Sequence, residues 1–122
     1  MTACAHEDTV LISIVIPAYN EEDGLSVLYE RLSQCAATWD EDYEFIFVDD
    51  GSSDGTLKAL TTFAATDKSV KVISFSRNFG HQAAVTAGLC YSTGDLTAVI
   101  DADLQDPPEE LGRFFEIGRA HV

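Results

Sequence analysis

Apolar and polar residues form alternating blocks along this chain, and the blocks predict strands separated by helices. The strand blocks are short, rich in β-branched residues and followed by turn residues. They are Val10–Ile16, Tyr43–Val48, Val70–Phe75 and Leu96–Ile100. Because these blocks are mostly apolar rather than strictly alternating, we expect strands that are covered on both faces of a sheet.

Between the strand blocks, apolar residues recur at the spacing of a helix. Asn20 is the predicted N-cap of the first helix. The predicted apolar faces are Leu25, Leu28, Leu32 and Cys35 in the first helix and Leu57, Leu60 and Ala64 in the second. The Ala-rich segment His81–Tyr91 predicts a third, tightly packed helix, and Pro108–Glu116 predicts the start of a fourth.

Strands and helices that alternate in this way predict an α/β fold, a Rossmann-like parallel sheet with helices on both faces. Every connection is long enough for a helix, and no two-residue hairpin turn occurs, which disfavours an antiparallel sheet. With 122 residues, 46% of them hydrophobic, the chain is suited to one domain with a buried core.

The chain is acidic, with a formal net charge of −14 at pH 7. This charge disfavours binding to nucleic acid and electrostatic docking on anionic lipid, since both need a basic surface. The acids are concentrated at Glu21–Asp23, Asp40–Glu44, Asp49–Asp54 and Asp101–Glu110. Such clusters are either solvated loops or sites for cations.

The cysteines Cys4, Cys35 and Cys90 are far apart and lack metal-ligand spacing, which is typical of a reducing compartment. Cys90 falls in a helical pattern, so we expect it to be buried. The N-terminus lacks a secretion signal, and no apolar run approaches the roughly 20 residues needed to cross a bilayer. We therefore expect a cytoplasmic location, with membrane contact only through parts outside this sequence.

Polar clusters follow the carboxyl end of each predicted strand. They are Tyr19-Asn20-Glu21, Asp49-Asp50, Arg77-Asn78 and Asp101-Ala102-Asp103. In a parallel sheet these ends lie along one edge, where open α/β sheets bind their ligands. The sequence therefore predicts that the four clusters converge on one cleft.

Asp101 and Asp103 follow a buried strand, where an uncompensated charge is costly. If the backbone stays extended, both carboxylates point to the same side. Paired oxygen ligands of this kind suit Mg²⁺ or Mn²⁺, which also bind phosphate oxygens. The alternative is that the two acids form turns or cap the next helix.

The glycine-rich phosphate-binding loops of dinucleotide-binding folds and P-loop enzymes are absent from the sequence. Phosphate charge must then be offset in another way, and a divalent cation held by Asp101 and Asp103 can do so, with Arg77 as a further candidate. A cation that bridges carboxylates to a diphosphate suggests a nucleotide ligand whose diphosphate departs in the reaction.

Asp49 and Asp50 allow two interpretations. One is a strand-to-helix turn, in which glycines supply unusual dihedral angles and Asp54 or Ser53 caps the helix. The other is that at least one of the two carboxylates accepts a hydrogen bond from a base imino group or a ribose hydroxyl.

Four motifs together resemble the family 2 glycosyltransferases, and most closely the polyprenyl-phosphate sugar transferases of the dolichol-phosphate mannose synthase and bactoprenol glucosyltransferase type. The motifs are Ile14-Val15-Ile16-Pro17-Ala18-Tyr19-Asn20-Glu21-Glu22, Val48-Asp49-Asp50-Gly51-Ser52-Ser53-Asp54-Gly55-Thr56, Ser76-Arg77-Asn78-Phe79-Gly80-His81-Gln82-Ala83-Ala84 and Asp101-Ala102-Asp103-Leu104-Gln105-Asp106-Pro107-Pro108-Glu109. They occur in order and with the family's spacing over about Leu11 to Phe115.

The resemblance implies a GT-A fold and a nucleotide-sugar donor, with UDP-glucose ahead of GDP-mannose and UDP-GlcNAc. It implies nucleoside contacts at Pro17, Tyr19, Glu21, Val48 and Asp50. It also implies a metal-diphosphate motif at Asp101, Ala102 and Asp103, with Gln105 near the metal. The implied reaction is inverting transfer of a hexose to a polyprenyl phosphate, without a dedicated general base because the acceptor oxygen is already anionic.

The family continues well beyond the Asp101-Ala102-Asp103 motif, and we expect this chain to be truncated after it. We therefore expect residues 1–116 to be the donor-binding half of such a domain and to be inactive alone. The parent protein would act at the cytoplasmic face of a membrane. Residues 117–122 resemble a translated sequencing adapter and are expected to be a non-native tail.

Two other classes of protein remain open at this point. A nucleotidyltransferase that acts on sugar phosphates would usually place a Gly-rich, basic loop after the first strand, where this chain has Pro17-Ala18-Tyr19-Asn20-Glu21. A receiver-type signalling module would have acids at its strand ends, but it would not need the pair Asp101 and Asp103.

Overall fold

The computed structural model describes residues 10–39, 41–103 and 108–110. Its strands are β1 (Leu11–Ala18), β2 (Asp42–Asp49), β3 (Val70–Ser74) and β4 (Leu96–Val99). Its helices are α1 (Glu22–Ala36), α2 (Thr56–Thr66) and α3 (His81–Tyr91), followed by a short 3₁₀ helix at Pro108–Glu110. The rest of the predicted fourth helix, Gln105 and residues 117–122 lie outside the described residues.

The described strands form one parallel sheet in the order β3-β2-β1-β4. The strand β1 is central: Ile14 lies opposite Phe45 of β2 on one side and Ala98 of β4 on the other. This arrangement confirms the predicted parallel α/β sheet. Because the strands are parallel, their carboxyl ends emerge along the same edge.

The larger part of the core lies between the sheet and helices α1 and α2. Alternate residues of the two longest strands point to this face, because successive side chains of a strand point to opposite sides. The fully buried members are Ile12, Ile14, Ile16, Phe45, Phe47, Leu25, Leu28, Leu32 and Leu60. Truncating one of these leucines to alanine would cost about 3 kcal/mol, because a cavity would remain.

Helix α3 covers the opposite face, which confirms that helices pack on both sides of the sheet. Its Ala84 is buried against Ile46 and Val48 of β2. Gly88 lets the helix lie close to β1, since a Cβ at this position would collide with the side chain of Val15. Among the described residues, no helix is long and apolar enough to cross a bilayer.

The predicted face of the second helix is partly wrong. Leu57 is 37% exposed, whereas Leu60 is buried. Because α2 begins at Thr56, its inward face contains Thr56, Ala59, Leu60, Phe63 and Ala64, at helical spacing. Leu57 lies off this face.

Three smaller expectations also differ from the structure. Helix α1 begins at Glu22, and Asn20 has a φ of 53°, so Asn20 is not its N-cap. At the end of the same helix Ala36 is buried and Cys35 is only half-buried. Cys90 is exposed, because the packed face of α3 contains Ala84 and Gly88 instead.

A polar network centred on a buried carboxylate ties β1, β2 and β3 to the loop that precedes β4, at the edge opposite the carboxyl ends. Glu44 is 5% exposed, and it accepts hydrogen bonds from Ser13 Oγ at 2.5 Å, Lys71 Nζ at 2.5 Å and Thr93 N at 3.0 Å. Ser13 Oγ in turn accepts the Gly94 amide at 2.9 Å. Burial alone raises the pKa of Glu44, but the bonds from Lys71, Ser13 and Thr93 outweigh it and lower the pKa to about 2.

We predict that Glu44→Gln lowers the free energy of unfolding by about 2 kcal/mol at pH 7, because the network loses the negative charge and one of the two acceptor oxygens of Glu44. A carboxyl whose pKa is lower in the folded state stabilises the fold above its usual pKa of 4.5, and this contribution is lost as the pH falls towards about 2. The difference in the free energy of unfolding between wild type and Glu44→Gln should therefore shrink as the pH falls from 4.5 towards about 2.

Urea denaturation from pH 7 to pH 2.5 measures this effect, and Glu30→Gln is the matched control. Glu30 is an exposed residue of α1 that accepts a long hydrogen bond from Gln34, at 3.4 Å. Equal destabilisation by the two substitutions, or a Glu44→Gln effect that does not change with pH, would contradict the role of this network.

Candidate active site

A cleft of about 580 Å³ opens at the carboxyl ends of β1, β2 and β4. It is lined by Pro17, Ala18, Tyr19, Glu21, Asp50, Asn78, Gly80, His81, Ala84, Asp101, Ala102 and Asp103. The lining includes residues from all four polar clusters, and these clusters are spread over more than 80 positions of the sequence. The parallel sheet thus brings the four clusters to one place.

Three of the predicted site residues that the structure describes are not part of this lining. Val48 is fully buried, and Asp49 is 2% exposed with its Oδ1 accepting the Ser52 amide at 3.2 Å. The Arg77 guanidinium is placed over the ring of Phe79, 4.4 Å from its centroid. Gln105 lies outside the described residues.

One wall of the cleft is the loop that follows β1, and hydrogen bonds to the loop that follows β2 hold it in place. Asn20 adopts its positive φ here, and its Oδ1 accepts the Ser53 amide at 2.8 Å. In return, Ser52 Oγ accepts the Asn20 amide and Thr56 Oγ1 accepts the Glu21 amide, both at 2.9 Å. These bonds fix the backbone that presents Tyr19 and Glu21 to the cleft.

One carboxylate serves the first turns of two helices. Asp54 Oδ1 accepts the amide of Thr56 at the start of α2, at 2.9 Å, and Oδ2 accepts the amide of Glu22 at the start of α1, at 3.3 Å. The hydrogen bond from the Thr56 side chain is the main reason that the pKa of Asp54 is lowered. The turn interpretation of this loop is therefore confirmed for Asp54.

Negative charge is crowded on the rim of the cleft. Burial raises the pKa of Glu21, and the neighbouring carboxylates of Asp103 and Asp54 raise it further. Across the cleft, His81 Nε2 lies 3.8 Å from Asp101 Oδ1. A divalent cation placed among these carboxylates would relieve their mutual repulsion.

The donor set fits Mg²⁺ or Mn²⁺ only as part of a coordination shell. Asp101 and Asp103 offer hard oxygen atoms beside the cleft, and Asp103 is exposed. Within the described ranges, no three His, Cys, Asp or Glu side chains are grouped closely enough to hold a metal. Such a cation would therefore need water or phosphate oxygens as further ligands, as is usual for Mg²⁺.

The sequence did not assign a site role to Ala18, Gly80 or Ala84, although all three line the cleft, whereas Asn78 lies there as the Arg77-Asn78 cluster predicted. Gly80 would have been found if the strand-end rule had been extended past Asn78 to the start of α3. Ala84 gave no chemical signal, because an alanine in a helix usually indicates packing alone.

Comparison with known proteins agrees with this geometry. The family model described as Glycosyl transferase family 2 matches residues 13–118. The chain is 52% identical over 104 residues to an uncharacterized glycosyltransferase, YkcC, of Bacillus subtilis (strain 168), covering 85% of this chain and 32% of the relative. It is 44% identical over 106 residues to the undecaprenyl-phosphate 4-deoxy-4-formamido-L-arabinose transferase of Klebsiella pneumoniae (strain 342). This match covers 86% of this chain and 32% of that relative. The chain thus spans about a third of the length of these curated relatives.

Solved structures share the fold. The mannosyltransferase PcManGT from Pyrobaculum calidifontis, in complex with GDP-Man and Mn²⁺, superposes with a TM-score of 0.70 at 22% identity, covering 84% of this chain and 30% of that one. Glucosyl-3-phosphoglycerate synthase from Mycobacterium tuberculosis, in complex with Mn²⁺, UDP and phosphoglyceric acid, superposes with a TM-score of 0.61 at 25% identity. This match covers 81% of this chain and 34% of that one. The sheet and helices are therefore those of a GT-A fold.

We predict that Glu21→Gln raises the free energy of unfolding at pH 7, because it removes a carboxylate that Asp103 and Asp54 repel. A carboxyl whose pKa is raised in the folded state opposes folding above that pKa, and the penalty disappears as the pH falls below its usual value of 4.5. The free energy of unfolding of Glu21→Gln should therefore exceed that of wild type at pH 7 but not near pH 4.

Thermal unfolding at both pH values tests this prediction, again with Glu30→Gln as the exposed control. Adding Mn²⁺ should narrow the difference at pH 7, since the cation compensates the same repulsion in wild type. A loss of stability in Glu21→Gln at pH 7 would show that the carboxylate is not crowded.

Proposed function

The chain belongs to glycosyl transferase family 2, and we propose that it forms the donor-binding part of an inverting, metal-dependent enzyme. In this proposal the whole protein moves a hexose from a nucleotide sugar to a polyprenyl phosphate. The observation that carries the proposal is the placement of Asp101 and Asp103 in one cleft with Tyr19, Glu21 and Asp50.

The nucleoside is assigned to the side of the cleft formed by the loop after β1. Pro17, Tyr19 and Glu21 line this side, and Tyr19 is 47% exposed, which leaves its ring available to a base. Val48 and Asp49 lie behind the lining, so in this proposal they support the nucleoside site from beneath. Arg77 is exposed at the rim, where its guanidinium would meet phosphate or base oxygens.

The diphosphate is assigned to the opposite side, at Asp101, Ala102 and Asp103. The two carboxylates would hold Mg²⁺ or Mn²⁺, and the buried Ala102 between them lets the backbone approach the ligand closely. The metal would supply Lewis-acid stabilisation of the charge on the leaving diphosphate. GDP-Man with Mn²⁺ in PcManGT and UDP with Mn²⁺ in the mycobacterial synthase support a donor of this class.

The acceptor is assigned from the relatives rather than from the cleft. The Klebsiella relative is named as a transferase that uses undecaprenyl phosphate, and at 44% identity it supports a polyprenyl-phosphate acceptor here. A phosphate oxygen is already anionic near neutral pH, so the enzyme has less need of a general base than one with a hydroxyl acceptor. The contribution of the protein is then to position the reactants and to stabilise the leaving group.

Calorimetry with UDP, GDP and their hexose derivatives, each with and without Mn²⁺, tests the proposed donor. We predict that Asp103→Ala and Asp101→Ala each weaken metal-dependent binding by about tenfold or more, because a charged ligand to the cation is lost. The matched control is Ser52→Ala, which removes the acceptor of the Asn20 amide but no group that lines the cleft.

Binding that is insensitive to Mn²⁺ or to Asp103→Ala would reject the assigned metal site. Equal losses from all three variants would show that folding of the loops, rather than ligation, had been measured. Far-ultraviolet circular dichroism of each variant separates these two outcomes.

A further inference from the structure

An ion pair fastens the short helix Pro108–Glu110 to α1. Arg31 Nε donates a 3.0 Å hydrogen bond to Glu109 Oε2, and Arg31 Nη2 donates to Oε1 of the same carboxylate. The two residues are 78 positions apart in the sequence. A guanidinium joined to a carboxylate by two parallel bonds has a defined geometry, which a single contact between flexible side chains lacks. We call this pair the anchor.

Further contacts hold the same short helix beside α1. Pro108 is buried, and the Cys35 thiol lies one helical turn after Arg31, next to the Glu109 carboxylate. Burial, followed by the charge of Glu109, raises the pKa of this thiol. The side chains of Arg31 and Glu109 are 35% and 51% exposed, so the anchor is expected to add little to the overall stability of the fold. Its main consequence is where it places the chain.

Helix α1 is a firm support for the anchor. Leu28 and Leu32 are fully buried in the core beneath the sheet, and Leu32 directly follows Arg31. Because the packed face of a helix is fixed by its neighbours, the backbone at Arg31 keeps a constant position relative to the sheet. Glu109 is thereby referred to the same frame as the strands.

On its other side, Asp103 follows a segment that is also fixed. The Ile100 amide donates to the Val15 carbonyl at 3.0 Å, which ties the end of β4 to β1. Ala102 is 4% exposed and belongs to the core. Asp103, the next residue, is exposed. The chain therefore leaves the core at Asp103 and returns to a buried position at Pro108.

The stretch between these two fixed points is short. Only residues 104–108 separate Asp103 from Glu109, and two of them are Pro107 and Pro108. Because a proline ring restricts φ, such a stretch has little freedom to absorb a displacement. A change in the position of Glu109 is therefore passed on to Asp103.

Asp103 needs a restraint of this kind because a like charge lies nearby. The carboxylate of Asp103 is close enough to Glu21 to contribute, after burial, to the raised pKa of Glu21. Both carboxylates line the cleft. Their repulsion favours movement of the exposed Asp103 away from the cleft, and the attraction between Arg31 and Glu109 opposes it.

We propose that Arg31 and Glu109 are positioning residues, whose ion pair anchors the chain after the metal motif and thereby keeps Asp103 at the cleft for the cation. The inference deepens the proposed function and rests on it for the identity of the ligand. Neither Arg31 nor Glu109 lines the cleft. Their effect therefore passes through the chain and not through contact with the donor.

The variants Arg31→Gln and Glu109→Gln, made in the whole chain, test the anchor without any ligand. We expect the heteronuclear ¹H–¹⁵N NOE of the Asp103 amide to be that of a rigid residue in wild type and to fall in both variants. The control is Glu30→Gln, which makes the same charge change as Glu109→Gln at an exposed neighbour of Arg31. An Asp103 amide that is mobile in wild type, or unchanged in either variant, would overturn the proposal.

Titration with UDP or GDP plus Mn²⁺ tests the effect on the ligand, with UMP and GMP without metal for comparison. We expect Arg31→Gln and Glu109→Gln each to weaken binding of the Mn²⁺-diphosphates about threefold and to leave the monophosphates unchanged. If the two residues acted only through their charge, Arg31→Gln would instead tighten Mn²⁺ binding, because it makes the protein more acidic. That opposite sign, or equal losses for both classes of nucleotide, would overturn the proposal.

Exchange of the two charges provides the rescue. Arg31→Glu and Glu109→Arg should each weaken binding of the Mn²⁺-diphosphates, and the double variant should return it to within about twofold of wild type. A double variant that binds no better than the single exchanges would overturn the proposal. Wild-type protein that binds none of the four nucleotides would reject the proposed function, and the Asp103 NOE would still decide whether the anchor positions this residue.

Discussion

The parallel pairing of the central strand β1 with β2 and β4 is the constraint on which the site depends. Because β1 and β2 are buried along most of their length, a charge within them is costly unless hydrogen bonds compensate it, as they do for Glu44, and most of the acids therefore follow the strand ends. Parallel pairing then places the exits of all three strands side by side. Glu21, Asp50 and Asp101 meet for this reason, and a one-residue slip of β1 would exchange the side chains on its two buried faces.

The acids of this chain fall into two groups that differ in how their charge is compensated. Glu44, Asp50 and Asp54 receive hydrogen bonds from amides, hydroxyls or a lysine, and these bonds connect strands and loops. Glu21 instead has a raised pKa, partly because of the nearby Asp103. A diphosphate alone would add to this repulsion, so a cation in the same cleft, as proposed above, would favour the binding of such a ligand.

Most of the fold was predictable because it follows from local patterns. The apolar blocks predicted both ends of each described strand to within two residues, and the third helix begins and ends at His81 and Tyr91 as predicted. The errors arose where a one-residue difference matters. The exact start of α2 sets which residues point inward, and Leu57 was wrongly assigned to the packed face for that reason. Asn20 was wrongly assigned as the cap of α1, because Asp54 supplies the acceptor from another loop.

The detailed roles in the site were less predictable, because they depend on contacts between loops that are distant in sequence. Asp49 and Asp50 are identical, adjacent residues, and the alternation of a strand predicts only that they point in opposite directions. Which partners each one meets depends on where β3 ends and on how closely Gly51 lets the following loop approach. One carboxylate therefore closes its own turn at Ser52, while the other builds a wall of the cleft from residues some 30 positions away.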